Sequence, residues 1–242
     1  MPLVSVIIPT FNSQEYLESC IESIISQKNC EIEICIIDGG SLDNTIKIAK
    51  NYESRFRFIR FMTEKDNGPY DAMNKGIDIA TGDWLYFIGS SDLLYQQNVL
   101  QEVFANPIPA SISMLYGNVL VSGDTDWAKN GQIYDGEFNK EKIMQKNICH
   151  QAIFYRRSAF KRIGKYNLKY PICADWDMNM RFFSKTKAQF IDLIVARFTG
   201  GGLSTKMEVK EPILEELQYL KKKYFGLLSP IVNSLEKLKL FR

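Results

Sequence analysis

The amino-acid sequence predicts an α/β fold in which helices flank a mostly parallel central sheet. Two observations support this prediction. Short apolar runs alternate with segments of helical periodicity through the first half of the chain, which is the pattern of β-α-β crossovers. The runs are continuous rather than alternating, as expected for strands that are buried on both faces. The chain has 242 residues, 45% of them hydrophobic, which is enough for one large domain.

The elements of the first half follow from this pattern in chain order. Strands are predicted at 3–8, 32–37, 56–62 and 84–88. Helices are predicted from Asn12 to Ile25, from about 43 to 52, and from 70 to 80. We interpret Asn12 as the N-cap of the first helix, because Glu15 follows it three residues later.

The second half of the chain predicts less regular elements. They are strands at 111–121, 150–156 and 189–198, a polar loop at 123–136 able to form a hairpin, a helix at 175–184 and a flexible loop at 200–202. After Glu211 the composition shifts to Leu, Lys and Glu, and two helices are predicted around the breakers Gly226 and Pro230. We therefore expect one domain over 1–205, with halves 1–92 and 93–205, and a helical C-terminal extension over 206–242.

Composition and short motifs exclude several classes of protein. The formal net charge of +2 argues against a nucleic-acid binder. Five cysteines without a C-x-x-C pair indicate reduced thiols and a cytoplasmic chain, rather than a zinc site or a disulfide scaffold. An uncharged stretch at 103–123 has the length of a bilayer span, but Pro107 and Pro109 favour a loop that leads into a strand. Dinucleotide-binding, P-loop and nucleophile-elbow motifs are absent from the sequence.

Polar side chains follow each of the four predicted strands of the first half. They are found at Thr10-Phe-Asn12, Asp38, Glu64-Lys-Asp66 and Ser90-Ser-Asp92. Ligands of open α/β sheets bind outside the carboxyl ends of the strands, so four such clusters together favour a binding site over ordinary polar turns. Asp92 is able to hold Mg²⁺ or Mn²⁺ there, or to cap a helix that begins at Leu93.

Two further candidates lie in the second half. Asp175 and Asp177 are two residues apart on a predicted helix, so only one of them can easily face a site. His150 is the single histidine, and a lone histidine is more often a structural residue than a ligand.

Eight segments, taken in order, resemble glycosyltransferase family 2, which has the GT-A fold. They are VIIPTFN (6–12), IIDGGSLDNT (36–45), DNGPYDAMNKG (66–76), TGDWLYFIGSSD (81–92), YGN (116–118), HQAIFY (150–155), ADWD (174–177) and GGLS (201–204). The similarity covers roughly the first 205 residues and is greatest to the bacterial branch that builds exopolysaccharides, lipopolysaccharide O-chains or glycolipids. A related enzyme class, the nucleotidyltransferases, is rejected because no basic Gly-rich loop follows the first strand.

The resemblance implies an inverting, metal-assisted transferase that moves a sugar from a nucleotide-diphosphate donor to a saccharide or lipid-linked acceptor in cell-surface polysaccharide biosynthesis. A UDP-sugar is the expected donor and Mn²⁺ or Mg²⁺ the expected cofactor. By the same resemblance Asp175 is the general base, with Asp177 as the second choice, and Asp92 is the metal ligand. The implied donor-binding residues are Pro9, Thr10, Asn12, Asp38, Asp66, Asn74, Lys75, Ser91 and His150.

The sequence departs from the family pattern at two positions. Ser91 stands where relatives usually place a second aspartate of the metal motif, and Ala174 replaces the acidic residue before Asp175. A catalytically degenerate protein that binds a sugar nucleotide is therefore the alternative function. The C-terminal helices are expected to cap the domain, with a peripheral contact to the inner membrane face or a dimer contact as the alternatives.

Overall fold

The protein is described here by a computed structural model that covers residues 1–125, 128–199 and 210–226, without the side chains of 210–214. Its strands are β1 (Leu3–Thr10), β2 (Glu31–Asp38), β3 (Ile59–Thr63), β4 (Trp84–Phe87), β5 (Leu93–Leu94), β6 (Ile112–Ser122), β7 (Ile133–Tyr134), β8 (Ile153–Arg156) and β9 (Lys187–Thr199). Its helices are α1 (Leu17–Ile25), α2 (Thr45–Arg55), α3 (Pro69–Ile79), α4 (Val99–Val103), α5 (Lys140–Gln145), α6 (Phe160–Ile163), α7 (Ala174–Lys185) and α8 (Lys210–Phe225). The predicted α/β fold class is confirmed.

The strands form one sheet in the order β3-β2-β1-β4-β8-β6-β9-β5, with β7 paired to β6 as a hairpin. The first four strands are parallel, as the crossover pattern predicts. Antiparallel pairing begins where β8 joins β4 and continues between β8 and β6. The sequence did not predict this change of direction.

Strand β1 lies between β2 and β4 and has apolar contacts on both of its faces. Val4, Val6 and Ile8 pack with α1 on one face, whereas Ile7 packs with α3 on the other. The parallel register places Thr10 beside Asp38, at the carboxyl end of the sheet. Burial on both faces explains why the run is continuously apolar.

Three local predictions of the sequence analysis are wrong. Asn12 is not a helix cap, because α1 begins only at Leu17 and Asn12 has a positive φ of 48°. A two-residue strand, β5, follows Asp92 instead of a helix, so this carboxylate has no helix to cap. His150 lies in a single 3₁₀ turn, His150–Ala152, rather than in the strand that follows it.

Helix α8 packs against α7 and completes the core on that side of the sheet. Leu217 and Leu220 are buried in the same apolar cluster as Met178 of α7. No helix in the part of the chain that the structure describes is long and apolar enough to cross a membrane. The predicted second C-terminal helix, with Val232, Leu235 and Leu238, and the loop at 200–202 lie outside the described residues.

The contact between α3 and β1 makes a testable prediction at Gly76. A Cβ atom added there would overlap Cγ2 of Ile7, a fully buried residue of β1. We expect Gly76→Ala to lower the free energy of unfolding by about 1–3 kcal/mol, although alanine is the better helix former, because overpacking a rigid core is destabilising. Urea denaturation of the wild type, the single variants Gly76→Ala and Ile7→Ala, and the double variant measures the coupling between the two positions. Strict additivity of the two changes would contradict the proposed overlap.

Candidate active site

Asp38 organises the loop that follows β2. Its side chain is completely buried, and its Oδ2 accepts hydrogen bonds from the backbone N–H groups of Gly40 and Ser41, both at 3.0 Å. The hydroxyl of Thr63 at the end of β3 donates to the same oxygen at 2.7 Å, and the Ser41 hydroxyl donates to Oδ1. The carboxylate therefore holds the ends of two parallel strands and the loop between them in one arrangement.

The loop after β1 is joined to this arrangement through Asn12. The backbone N–H of Asn12 donates to the Ser41 hydroxyl at 2.8 Å, and its side-chain oxygen accepts from the N–H of Leu42 at 2.9 Å. The next residue, Ser13, contacts the Ser90 hydroxyl at 2.7 Å. The loops after β1, β2 and β4 thus lie together, as the strand-end argument predicts. Pro9 and Thr10 are both buried beneath them.

Asp66 lies directly against the Asp38 loop. A Cβ atom at Gly39 would come within 2.6 Å of Asp66 Oδ2, so only glycine leaves room for this contact. The Oδ1 atom of Asp66 accepts from the N–H of Gly68 at 2.9 Å. Lys75 lies beside the same region, because its Nζ donates to the carbonyl oxygen of Lys65 at 3.2 Å.

Asn74 has a local structural role in this arrangement. Its amide donates to the carbonyl of Tyr166 at 2.9 Å and accepts from the N–H of the same residue at 2.9 Å. Both ends of the amide are therefore engaged with backbone atoms. The predicted contact of Asn74 with a donor stays a prediction, and its observed contact joins α3 to the segment before α7.

Asp92 is a buried carboxylate that neutral hydrogen-bond donors hold in place. It is only 3% exposed, and it accepts from Gln151 Nε2 at 2.7 Å and from the N–H of Thr199 at 2.9 Å. Burial raises the pKa of Asp92 from its ordinary 3.8 to about 6, in spite of these hydrogen bonds. Ser91, its neighbour in the predicted metal motif, is half-buried.

Asp175 is the second carboxylate with a raised pKa. It lies in the first turn of α7. Its Oδ1 accepts a hydrogen bond from the backbone N–H of Trp176 at 2.7 Å, and its Oδ2 accepts one from Asn147 Nδ2 at 3.0 Å. The Tyr70 hydroxyl also lies near Asp175, but it donates its proton to the carbonyl oxygen of Ile172 at 2.9 Å. Burial raises the pKa of Asp175 to about 6, which leaves the group ready to exchange a proton near neutral pH.

Asp177 faces away from Asp175 and pairs with cations and a phenol. Its Oδ2 lies 2.8 Å from Arg181 Nη2, and its Oδ1 accepts from the Tyr224 hydroxyl of α8 at 2.7 Å. Lys223 lies 3.9 Å from the same oxygen. This carboxylate therefore fastens α8 to α7, and the two aspartates of the helix have different surroundings.

Asp92 and Asp175 are both bonded to one short segment, since Gln151 donates to Asp92 and Asn147 donates to Asp175. Within this segment, burial raises the pKa of the Cys149 thiol, and the negative charges of Asp92, Asp175 and Asp135 raise it further. His150 follows in the chain, and burial lowers the pKa of its imidazole to about 4, so the ring is neutral at pH 7. The predicted site residues Asp92, Asp175 and His150 thus lie around one short segment.

Sequence reasoning missed two residues of this site. Gln151 contacts Asp92, and a buried polar residue within the apolar segment HQAIFY was a signal that could have revealed it. Asn147 contacts Asp175 across 28 residues of sequence and carries no motif that identifies it.

The donor set at Asp92 fits a divalent cation that is shared with phosphate oxygens. The carboxylate is desolvated, and the Gln151 amide and the N–H of Thr199 that donate to it are neutral. Mg²⁺ and Mn²⁺ on phosphorylated ligands need only one or two protein carboxylates, since phosphates and waters supply the other ligands. Within residues 1–125, 128–199 and 210–226, no group of three His, Cys, Asp or Glu side chains could hold a metal by itself.

Comparison with known proteins gives consistent matches. The model of Glycosyl transferase family 2 matches residues 5–164. The Mycobacterium tuberculosis (strain ATCC 25177 / H37Ra) protein named PGL/p-HBAD biosynthesis glycosyltransferase is 40% identical over 216 residues, which cover 87% of this chain and 82% of that protein. The similarity therefore extends over most of the length of both proteins.

Two solved structures share the fold. S. aureus TarS 1-349 in complex with UDP-GlcNAc superposes with a TM-score of 0.76 at 15% identity, over 96% of this chain and 70% of that one. The mannosyltransferase PcManGT from Pyrobaculum calidifontis, in complex with GDP-Man and Mn²⁺, gives a TM-score of 0.66 at 14% identity, over 92% and 61% of the two chains. At these identities the likeness concerns the fold alone.

The raised pKa of Asp92 predicts that its charge destabilises the fold. An unfolded aspartate titrates near 3.8 and the folded one near 6, so stability is lost as the pH rises between these values. We expect Asp92→Asn to raise the free energy of unfolding by about 1–3 kcal/mol at pH 7.5, since one pKa unit corresponds to about 1.4 kcal/mol. A rotated Gln151 amide can accept from the amide that this substitution introduces, while Thr199 continues to donate.

Urea denaturation in EDTA at several pH values between 3.5 and 8 measures this effect. The gain in stability should shrink towards zero as the pH falls through about 4, where the unfolded Asp92 also takes up its proton, and reach a plateau above about pH 7. Asp83→Asn, at an exposed position, is the control. An Asp92→Asn gain that does not change with pH would contradict the assigned cause.

Proposed function

Since this chain belongs to glycosyl transferase family 2, has the GT-A fold and is a glycosyltransferase, we propose that it is an inverting, metal-assisted enzyme. In this proposal it transfers a sugar from a nucleotide-diphosphate donor to a saccharide or lipid-linked acceptor. The observation that carries the proposal is a pair of carboxylates of raised pKa, Asp92 and Asp175, that are bonded to Gln151 and Asn147 of one short segment. Asp92 is suited to holding a cation, and Asp175 is suited to accepting a proton.

Asp175 is the proposed general base. Sugar transfer with inversion needs a group on the face opposite the leaving group, to take the proton of the attacking hydroxyl. A base is most effective when its pKa lies near the working pH, and burial brings Asp175 to about 6. The N–H groups of Trp176 and Asn147 hold its carboxylate in place, which fixes the direction from which an acceptor hydroxyl can donate.

Asp177 is excluded from that role in this proposal by its partners. Its oxygens are engaged with Arg181 and Tyr224, and it is 1% exposed. Because both oxygens already have partners and the residue is buried, neither oxygen is open to an acceptor hydroxyl.

Asp92 would hold the Mn²⁺ or Mg²⁺, which when bound supplies positive charge to the diphosphate leaving group, and Ser91 is proposed to contact the donor. Gln151 and the N–H of Thr199 fix the orientation of the Asp92 carboxylate for this purpose. His150 is neutral at pH 7, so in this proposal it contacts the donor as a hydrogen-bonding group rather than as a cation.

The loops around Asp38 are the proposed nucleoside pocket. Thr10 lies beside Asp38 in the β1–β2 register, Asn12 bonds to Leu42 of the same loop, and Asp66 lies against Gly39. Pro9, Thr10 and Asn12 are proposed to line this pocket. The five hydrogen bonds that Asp38 accepts hold the loop in a fixed shape. Asp38 is proposed to meet the base, and Asp66, Asn74 and Lys75 to lie along the donor.

A UDP-sugar is the proposed donor, because TarS in the superposed structure is in complex with UDP-GlcNAc. PcManGT is in complex with GDP-Man, so a GDP-sugar is the principal alternative. The mycobacterial relative is named for PGL/p-HBAD biosynthesis, which supports a biosynthetic role for this chain. In this proposal the pathway makes a cell-surface polysaccharide or glycolipid. We propose a cytoplasmic location, with the C-terminal segment as the contact to the membrane or to a second copy.

Exchange of the proposed base tests the mechanism. We expect Asp175→Asn to lower kcat by about 10²–10⁴-fold with the donor KM little changed, because general-base catalysis typically contributes this much. In the wild type, kcat should rise with pH through a midpoint of about 6, as Asp175 loses its proton, and level off above about pH 7. The measurement is nucleotide release across pH 4.5–8.5 from a panel of UDP- and GDP-sugars with alkyl glycoside acceptors.

Asp177→Asn is the matched control for this experiment. It should lower the thermal stability, because Arg181 and Tyr224 lose a charged partner, while kcat below the melting temperature changes little. Full activity in Asp175→Asn, with loss of activity in folded Asp177→Asn, would show that the base has been assigned to the wrong residue.

Binding of nucleotides tests the donor and the cation. We expect calorimetry with UDP, GDP, dTDP and CDP to show one preferred nucleotide, whose affinity falls at least about tenfold without Mn²⁺. Asp92→Asn should remove this dependence on Mn²⁺, whereas the exposed control Asp83→Asn should retain it. Binding that is equally tight in EDTA would contradict metal-assisted transfer at Asp92.

A further inference from the structure

A chain of side-chain hydrogen bonds leads from strand β8 to Asp175. The Tyr155 hydroxyl donates to Asn179 Oδ1 at 2.5 Å, and Asn179 Nδ2 donates to Asn147 Oδ1 at 2.7 Å. Asn147 Nδ2 then donates to Asp175 Oδ2 at 3.0 Å. Asn179 is completely buried, so its hydrogen bonds are not exchanged with water.

The direction of this chain is fixed by a backbone carbonyl. Asn179 Nδ2 also lies 3.2 Å from the carbonyl oxygen of Ile148, which can only accept a hydrogen bond. The amide of Asn179 must therefore present its nitrogen to Ile148 and to Asn147. Asn147 in turn must present its oxygen to Asn179, which leaves its nitrogen facing Asp175.

We propose that Asn147 and Asn179 are positioning residues for the carboxylate of Asp175. In this arrangement Asn179 determines which way the Asn147 amide faces, and Asn147 supplies a permanent donor to one carboxylate oxygen. The inference rests on the proposed role of Asp175 as the general base.

An amide at position 147 affects Asp175 differently from an acid. A hydrogen bond to the charged form of a carboxylate favours that form, so Asn147 opposes the effect of burial. A neighbouring carboxylate would instead disfavour the charge of Asp175 by repulsion. Ala174, directly before Asp175, carries no charge, so the Asn147 amide is a partner whose own protonation state does not change with pH.

The ionisable groups near Asp175 come from several elements. Those whose pKa its charge raises are Tyr70, Cys149, Tyr155, Tyr166 and Cys173. Burial also raises the pKa of each of these groups, so all five are neutral at pH 7. A change in the titration of Asp175 on substitution of Asn147 can therefore be assigned to the amide itself.

The test is a ¹³C NMR titration of protein labelled at the aspartate carboxyl carbons. The signal of Asp175 is identified by its absence from Asp175→Asn, and it should titrate near pH 6 in the wild type. In Asn147→Asp the carboxyl at this site should titrate at least about one pH unit higher, and in Asn147→Ala by a smaller upward shift. Asn179→Asp, which cannot donate to Asn147, should shift it in the same direction.

Kinetics with the same UDP- and GDP-sugar panel complete the test. The acid limb of kcat should move upward together with the NMR midpoint in Asn147→Asp and Asn147→Ala, with an unchanged donor KM. Asn51→Asp, on the exposed face of α2, is the control and should change neither. Asn147 is only half-buried, so its variants should fold even if Asn179→Asp does not.

The outcomes separate this inference from the proposed function. The positioning role would be overturned if the titration midpoint of Asp175 and the acid limb of kcat keep their wild-type pH in both Asn147 variants. This holds even if Asp175→Asn is inactive. Full activity of Asp175→Asn would overturn the proposed base and the positioning role together. An upward shift of the acid limb of kcat in the Asn147 variants, together with an inactive Asp175→Asn, would support both the proposed base and the positioning role.

Discussion

Hydrogen bonding of β1 to parallel strands on both of its edges is the constraint on which the rest of the site depends. The register with β2 places Thr10 beside Asp38, and the register with β4 places Ile7 beside Phe87. With β1 also buried on both faces, a slip of either strand would expose an apolar residue and separate the loops. The loops at the carboxyl ends can therefore be irregular and polar, because the strands beneath them cannot move.

The sequence was informative where structure depends on neighbours in the chain. Continuous apolar runs such as 3–8 and 84–88 correctly predicted parallel strands, because strands that are buried on both faces have continuously apolar sequences. The left-handed turn at Asn12 was missed, because its side chain bonds to Leu42, 30 residues away. The strands of the second half were predicted, but the antiparallel pairing of β8 with β4 and β6 was not, since pairing direction depends on how long connections return to the sheet.

The same distinction holds at the candidate site. Asp92 and Asp175 could be singled out from motifs, but the sequence left Asp175 and Asp177 as alternatives, because their spacing says only that they face different ways. The structure gives them different partners, an amide for one and a guanidinium for the other. Asn147 was not found at all, since a contact across 28 residues leaves no pattern in a single sequence.

The attachment of α8 to α7 through Asp177 has a consequence for how this chain can be divided or recombined. The family match ends at residue 164, yet a charge buried at position 177 is met by Tyr224, far beyond that limit. A chimera whose new C-terminal segment carried no tyrosine at this position would bury this carboxylate without its phenol partner. Because Leu217 and Leu220 of α8 also complete the core beside α7, the helix has to be exchanged along with the partners it contacts.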